Sequence, residues 1–420
     1  MSVLLKDVQL GRDTTNVFVE GNRITEIGPR READTVIEGK GKLALPGLVN
    51  LHTHAAMTLF RGFGDDLSLR TWLETRIWPH EAKLRPEDVY WGARLACLEM
   101  IKSGTTTFND MYFHMDQVAK AVREMGLRAV LAEGFVDGGD PNVGQEMLKR
   151  VVEVTRKITA LKMERIMPAL GPHAVYTVSK ESLIAMKDLA DKKGDRLHIH
   201  LSETKEEVDE CLTRTTMRPA AYLDSIGFLT RNVVAAHGCW LDASEIGAIA
   251  KAGSRLAHCP VSNMKLATGQ AMPFAALKEA GVVMGLGTDG AASNNNLDMF
   301  ESMKVAALLQ KFAHRDPTIL PANEAFEMAT LGGARALGID AGLLEVGRLA
   351  DIILVDLRRP EIVPRHDDIS NVVYSAHGNI VDTVVCDGVV LMKGRRVKGE
   401  AEIMEKASAV ARDVVTRESA

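Results

Sequence analysis

Between about residues 48 and 345, short apolar runs alternate with longer stretches of helical period. The runs predict strands over Leu48–His52, Thr105–Asn109, Ala129–Glu133, Ile166–Leu170, Leu197–Leu201, Val233–Ala236, Ser254–His258 and Val282–Leu286. Helical periodicity between them predicts helices over Pro86–Ser103, Met115–Glu124, Lys180–Lys193 and Ala243–Ala252. Strand–helix units repeated eight times across this span predict a (β/α)8 barrel over residues 48–345. The flanks read differently. Val17 to Ile24 form two apolar runs around Gly21-Asn22, a hairpin signal. Strand-like runs return at 351–356, at 380–386 and, after Asp387-Gly388, at 389–393. Isolated hairpins are marginal, so residues 1–47 and 346–420 are expected to join as one small discontinuous β-sandwich, with a tail.

The 420 residues are 46% hydrophobic and 25% charged, with net charge -5, as in a globular protein. No basic stretch points to nucleic acid. No run approaches the about 18 apolar residues of a membrane span, and the amino terminus lacks a signal-peptide pattern. The five cysteines are scattered, odd in number and never in a CxxC. That argues against disulfides or a thiolate zinc site and for a reducing, cytoplasmic setting.

Candidate chemistry gathers at the carboxyl ends of the predicted strands, where barrel enzymes keep their sites. His52 and His54 are two apart on one strand and so share a face. An HxH pair by itself fits either a metal site or a histidine-bearing core strand; the rest of the chain favours the metal. In Leu197-His198-Ile199-His200, His200 lies nearer the strand's carboxyl end and is the expected ligand, with His198 an interior position. Glu203 follows in the loop, His237 closes the next strand and His173 closes the fourth. Gly285-Leu286-Gly287-Thr288-Asp289-Gly290 matches GxGxxG but stands far from an opening βαβ unit, and the Ala-Ala-Ser-Asn-Asn-Asn after it is a poor pyrophosphate-binding helix start. Asp289 there is expected as a metal ligand. Three imidazoles and one carboxylate (His52, His54, His200, Asp289) suit one divalent ion, with Zn²⁺ expected and Fe²⁺ or Mn²⁺ as alternatives. Such an ion makes hydroxide available near neutral pH, and Glu203 can pass a proton to the substrate.

With these residues in place, the chain resembles the amidohydrolase superfamily, and within it the 5'-methylthioadenosine/S-adenosylhomocysteine deaminases, including 5'-deoxyadenosine deaminases. The matching stretches are Leu45–His54, Met57–Gly62, Ser103–Phe113, Gly171-Pro172-His173, His200–Thr204, Gly287–Asn295 and Glu345–Asp351. The resemblance implies that Asp289 accepts the proton of the attacking water. It implies that Glu203 serves the purine ring nitrogen and that His237 stabilises the reacting centre. Glu81 would bind the ribose hydroxyls, His173 would contact substrate and Trp72 would wall the pocket. The fourth strand closes without a lysine, which points away from a lysine-bridged two-metal site. The implied substrates are 5'-deoxyadenosine, 5'-methylthioadenosine, S-adenosylhomocysteine and adenosine itself. The implied setting is salvage of S-adenosylmethionine by-products by a homodimer or homotetramer. The chain departs from commoner family wording at Ala236–Trp240 and Ala257–Pro260, and it has no arginine over 137–145, which bears on the 5' substituent. Guanine deamination or triazine dechlorination on the same scaffold is the alternative reading, and a non-catalytic barrel a distant one. Glu81 discriminates, because a diol-binding carboxylate has no task on a bare heterocycle.

Overall fold

The protein is described from a computed structural model over residues 2–29 and 31–418. Five strands open the chain: β1 (Ser2–Leu10), β2 (Asp13–Glu20), β3 (Arg23–Gly28), β4 (Thr35–Glu38) and β5 (Lys42–Pro46). Eight parallel strands follow: β6 (Leu48–Thr53), β7 (Thr105–Tyr112), β8 (Arg128–Phe135), β9 (Ile166–Pro172), β10 (Arg196–Leu201), β11 (Val233–His237), β12 (Arg255–His258) and β13 (Met284–Leu286). They pair in chain order, each with the next, and helices cover their outer face. Along β10, Leu197, Ile199 and Leu201 join the apolar layer beneath the helices, while His198 and His200 occupy the opposite face. This is the expected barrel. Its strands overrun the sequence-predicted ones by a few residues at β7, β8 and β9.

The barrel closes where β13 meets β6. The Asp289 amide donates to His52 O at 2.9 Å. A Cβ on Gly287 would lie 2.9 Å from His52 backbone atoms, and one on Gly285 would lie 3.0 Å from the Gly333 Cα. The glycines of the GxGxxG match therefore allow close backbone approach at this seam. No nucleotide is needed to explain them.

The two chain ends share one mixed strand network. β14 (Ile352–Asp356), β15 (Val381–Cys386) and β16 (Val389–Met392) run in the order β16-β15-β14-β5-β1-β2-β3, with β4 on β1. β1 is the crossing point. Val3–Lys6 pair with β4 and Gln9 pairs with β5, on either side of a bulge between Leu5 and Val8. Its own core includes Val3, Leu5, Val17, Ile24, Ile352 and Leu354. A buried ion cluster ties this network to the barrel: Arg128 Nε lies 3.1 Å from Asp351 Oδ2, and its Nη2 lies 2.8 Å from Asp387 Oδ1.

One element differs from the sequence reading. Residues Glu400–Thr416, assigned with the sandwich end and tail, form a helix that packs on the barrel helix Pro86–Lys102. Ile403, Ala407 and Val414 recur at helical spacing and are buried, so the packing face was present as a stripe. Arg417 beyond it pairs with Asp88 at 2.8 Å.

Candidate metal centre and active site

The strand ends bring His52, His54, His200, His237 and Asp289 to one point at the barrel mouth. His54 Nε2 lies 3.2 Å and His52 Nε2 3.4 Å from Asp289 Oδ1. His200 Nε2 lies 3.2 Å from His54 Nε2. Asp289 is held from two segments: Oδ1 accepts the amide of its neighbour Gly290 at 2.7 Å, and Oδ2 accepts the hydroxyl of Ser262, from the chain after β12, at 2.6 Å.

The hydrogen bonds fix which ring nitrogens carry protons. His54 Nδ1 faces Met111 O at 2.5 Å, and His200 Nδ1 faces His173 O at 2.8 Å. A carbonyl only accepts, so each Nδ1 is protonated and donates. His198 Nδ1 likewise donates to Val234 O at 2.8 Å, which leaves its Nε2 to accept from His52 Nδ1 at 2.7 Å. In the neutral rings, the Nε2 lone pairs of His52, His54 and His200 thus converge with a carboxylate. His52 Nε2 has no hydrogen-bond partner among the described residues. Converging lone pairs repel unless a cation lies between them, so the donor set fits a divalent ion. His198 occupies the structural interior position expected of it, and it sets the tautomer of His52.

The electrostatics agree. Burial holds His52 and His200 well below the usual imidazole range, so both are neutral as ligands must be. Burial also pushes His54 down, but the Asp289 carboxylate, Met111 O and Asp110 outweigh it and raise it to about 9. The proton on His54 stands where a cation would. Asp289 is pushed up by burial and pulled well below its usual range by His52 and His54.

Glu203 sits beside this cluster, with Oε1 3.7 Å from His237 Nδ1. Burial, then the charges of Asp289 and Glu207, lift its carboxyl well above the usual range and favour its protonated form. His237 is buried and held neutral, at about 4, chiefly by burial. Its Nδ1 lies 3.0 Å from Asn263 Nδ2.

The remaining residues line a cavity of about 550 Å³ above the cluster. Glu81 and Trp72 enter it from the segment Leu69–Glu81, short helical turns following β6. Burial raises the Glu81 carboxyl, while the Tyr112 hydroxyl and His54 pull it down. His173 lines the wall; its Nδ1 meets Thr177 Oγ1 at 2.9 Å, and its carbonyl anchors both His200 Nδ1 and the His200 amide. Arg150 is the one arginine or lysine among the described lining residues, and its Nε lies 2.9 Å from the buried Glu133.

Of the sequence-derived candidates, His54, Trp72, Glu81, His173, His200, Glu203, His237 and Asp289 line one cavity, and the fully buried His52 joins its histidine–aspartate cluster. Sequence reasoning missed Ser262 and Asn263, on the turn Pro260–Lys265, and Glu207, whose carboxylate accepts the Ser202 and Glu203 amides at 2.9 and 2.8 Å. Two adjacent polar residues directly after the seventh strand were the available signal for the first two. Glu207 reads as an ordinary residue of a helix's first turn.

A family model described as "Amidohydrolase family" matches residues 43–391. The chain is 49% identical over 423 residues to a 5'-deoxyadenosine deaminase of Methanoregula boonei, covering 99% of this chain and 96% of that one. It is 49% identical to 5-methylthioadenosine/S-adenosylhomocysteine deaminase 1 of Archaeoglobus fulgidus, covering 94% of each. The structure superimposes with TM-score 0.94 on an adenosine deaminase from Xanthomonas campestris with bound zinc, at 34% identity, over 99% of this chain and 98% of that one. The chain belongs to the amidohydrolase family, in the branch that holds its 5'-deoxyadenosine and 5-methylthioadenosine/S-adenosylhomocysteine deaminases.

Proposed function

We propose that this protein is a metal-dependent hydrolytic deaminase of 5'-modified adenosines, releasing ammonia and the inosine analogue. Its substrates are 5'-deoxyadenosine, 5'-methylthioadenosine, S-adenosylhomocysteine and, by extension, adenosine. The observation that carries the reading is one cavity lined both by the histidine–aspartate cluster and by the carboxylate of Glu81. The cluster suits hydrolysis at the purine, and Glu81 suits a diol at the sugar.

His52, His54, His200 and Asp289 hold one divalent ion, Zn²⁺ by preference and Fe²⁺ or Mn²⁺ as alternatives. When bound, that ion supplies a water acidified toward a pKa of about 7. The chain's own groups do the rest. Glu203, protonated in its buried setting, delivers its proton to the ring nitrogen next to C6, which makes C6 the electrophile. Asp289 takes the first proton of the water that adds at C6 and passes it to the amino group, which leaves as ammonia; the proton left on the added oxygen returns to Glu203 as C6=O forms. His237 donates to the oxygen added at C6. Glu81 accepts hydrogen bonds from the ribose hydroxyls, and Trp72 and His173 complete the walls. Two further readings accompany this one: a cytoplasmic setting, from the scattered cysteines, and, from the family resemblance, a homodimer or homotetramer, which light scattering on the purified protein checks.

The test is ammonia release from these nucleosides beside guanine and cytosine, for the wild type and Glu81→Gln. The nucleosides are expected to react and the bare bases are not, with a large loss of kcat/KM in the variant. Unchanged nucleoside turnover in Glu81→Gln would remove the nucleoside assignment.

A further inference from the structure

His237 differs from the imidazoles around Asp289 in what its second nitrogen faces. In His52, His54 and His200, Nδ1 meets an acceptor: His198 Nε2, Met111 O and His173 O. His237 Nδ1 meets Asn263 Nδ2, a donor, at 3.0 Å. A ring nitrogen that accepts carries no proton, so the proton of a neutral His237 lies on Nε2. Distance alone does not keep His237 out of the ligand set. One of its ring nitrogens lies within 4.8 Å of the ligand atoms of His52 and Asp289.

We propose that Asn263 is a positioning residue that holds His237 in its Nε2–H form, making it a hydrogen-bond donor to the reacting oxygen and not a further metal ligand. The target of that donor rests on the deaminase reading above; the tautomer does not. The backbone of Asn263 is fixed, and of its side-chain amide the Nδ2 faces His237 while the Oδ1 is buried with no partner among the described residues. The residue is buried, and its backbone amide donates to Cys259 O at 3.0 Å while its backbone carbonyl accepts the Thr268 amide at 3.1 Å. Its neighbour Ser262 donates to Asp289 Oδ2 at 2.6 Å. Consecutive side chains on one turn thus orient the groups on two sides of the reaction centre: a hydroxyl holds the carboxylate that accepts a proton, and an amide holds the imidazole that donates one.

Replacing the amide by a carboxylate inverts the pattern. The carboxylate introduced by Asn263→Asp has no N–H to offer and accepts from His237 Nδ1, which turns the Nε2 lone pair toward the ion. The experiment uses the zinc-loaded full chain with ¹⁵N-labelled histidine. In the wild type, the nitrogen signals are expected to show His237 unprotonated at Nδ1, and His52, His54 and His200 protonated there. In Asn263→Asp, His237 is expected protonated at Nδ1, with zinc extraction by a chelator slowed about tenfold. Its kcat is expected to fall on the order of 10²-fold, as for loss of one oxyanion donor, with KM little changed. A wild-type His237 protonated at Nδ1 overturns the proposal, and so does an Asn263→Asp variant matching the wild type in kcat and extraction. If that variant does not fold, the wild-type spectrum decides. A wild type inert toward every nucleoside sinks the deaminase reading and still leaves the tautomer to be read from the same spectrum.

Discussion

His54 Nε2 and His200 Nε2 face each other at 3.2 Å, and each ring's other nitrogen is committed to a backbone carbonyl. Two lone pairs so arranged need a cation between them. In the ion-free protein that cation is a proton on His54, whose pKa is raised to about 9 by Asp289 against the opposing effect of burial. An ion entering near pH 7.5 displaces that proton. Calorimetric titration of the ion-free protein in buffers of different ionisation enthalpy is expected to find about one proton released per ion from His54, in addition to the fraction that the ion-bound water gives up at that pH.

The same pKa sets how the ion-free protein responds to pH. The folded value lies above the usual imidazole value, so the stabilisation is fully present below about pH 6.5 and is lost as pH rises through about 9. Melting temperatures of chelated protein are expected to fall over that window. With the ion bound the proton is gone and the dependence disappears. Restoring ion at about a thousand times its dissociation constant adds about 4 kcal/mol of stability.

His198 acts on the centre through His52. His198→Phe removes the acceptor for His52 Nδ1 and frees that ring to change tautomer. Ion affinity is expected to drop 10- to 100-fold by analogy with other supporting partners of metal-bound histidine, measured by competition with a chromogenic chelator. Activity at saturating ion should recover in part.

In the role proposed above, Glu203 must be protonated to act. Its carboxyl is raised, so its contribution persists through neutral pH and fails on the alkaline side. Glu203→Gln preserves shape and ion content and removes the proton. We expect kcat to fall about 10²- to 10⁴-fold with full metal content by elemental analysis.

Arg150, which lines the cavity, pairs with the buried Glu133. Of the proposed substrates, only S-adenosylhomocysteine brings a carboxylate of its own. Arg150→Gln is expected to raise KM for that substrate about tenfold, the effect of about 1.4 kcal/mol, and to leave 5'-deoxyadenosine within error. Parallel steady-state assays on the two substrates read the split.

Arg128 is buried between the barrel and the network of the chain ends, with Asp351 and Asp387 as partners. Removing one side of a buried pair strands the other charge. Arg128→Ala is expected to cost about 3–5 kcal/mol in denaturant melts of the ion-loaded protein, far more than loss of an exposed pair.

The barrel and the histidine pairs at its mouth were legible because period-two alternation reports which side chains share a face. His52 with His54, and His198 with His200, needed nothing else. Asp289 needed the count of strands before it. Glu81 was legible only by resemblance, since on a short turn with no fixed period a carboxylate reads as solvated. Asn263 and Glu207 take their meaning from a ring nitrogen and two amides, and such partners exist only once the chain has folded. The helix Glu400–Thr416 shows the converse: its stripe was readable, but the neighbouring strands drew the whole end of the chain into one assignment.

The glycine-lined seam between β13 and β6 has a consequence for assembly. Thr53 Oγ1 donates to Asp289 O at 3.0 Å although the residues are 236 positions apart. The donor set therefore stays incomplete on a growing chain until its last barrel strand has been made and has docked on its first. Capture of the ion works as a clasp on the finished cylinder, and the stability it lends goes to chains that have closed correctly.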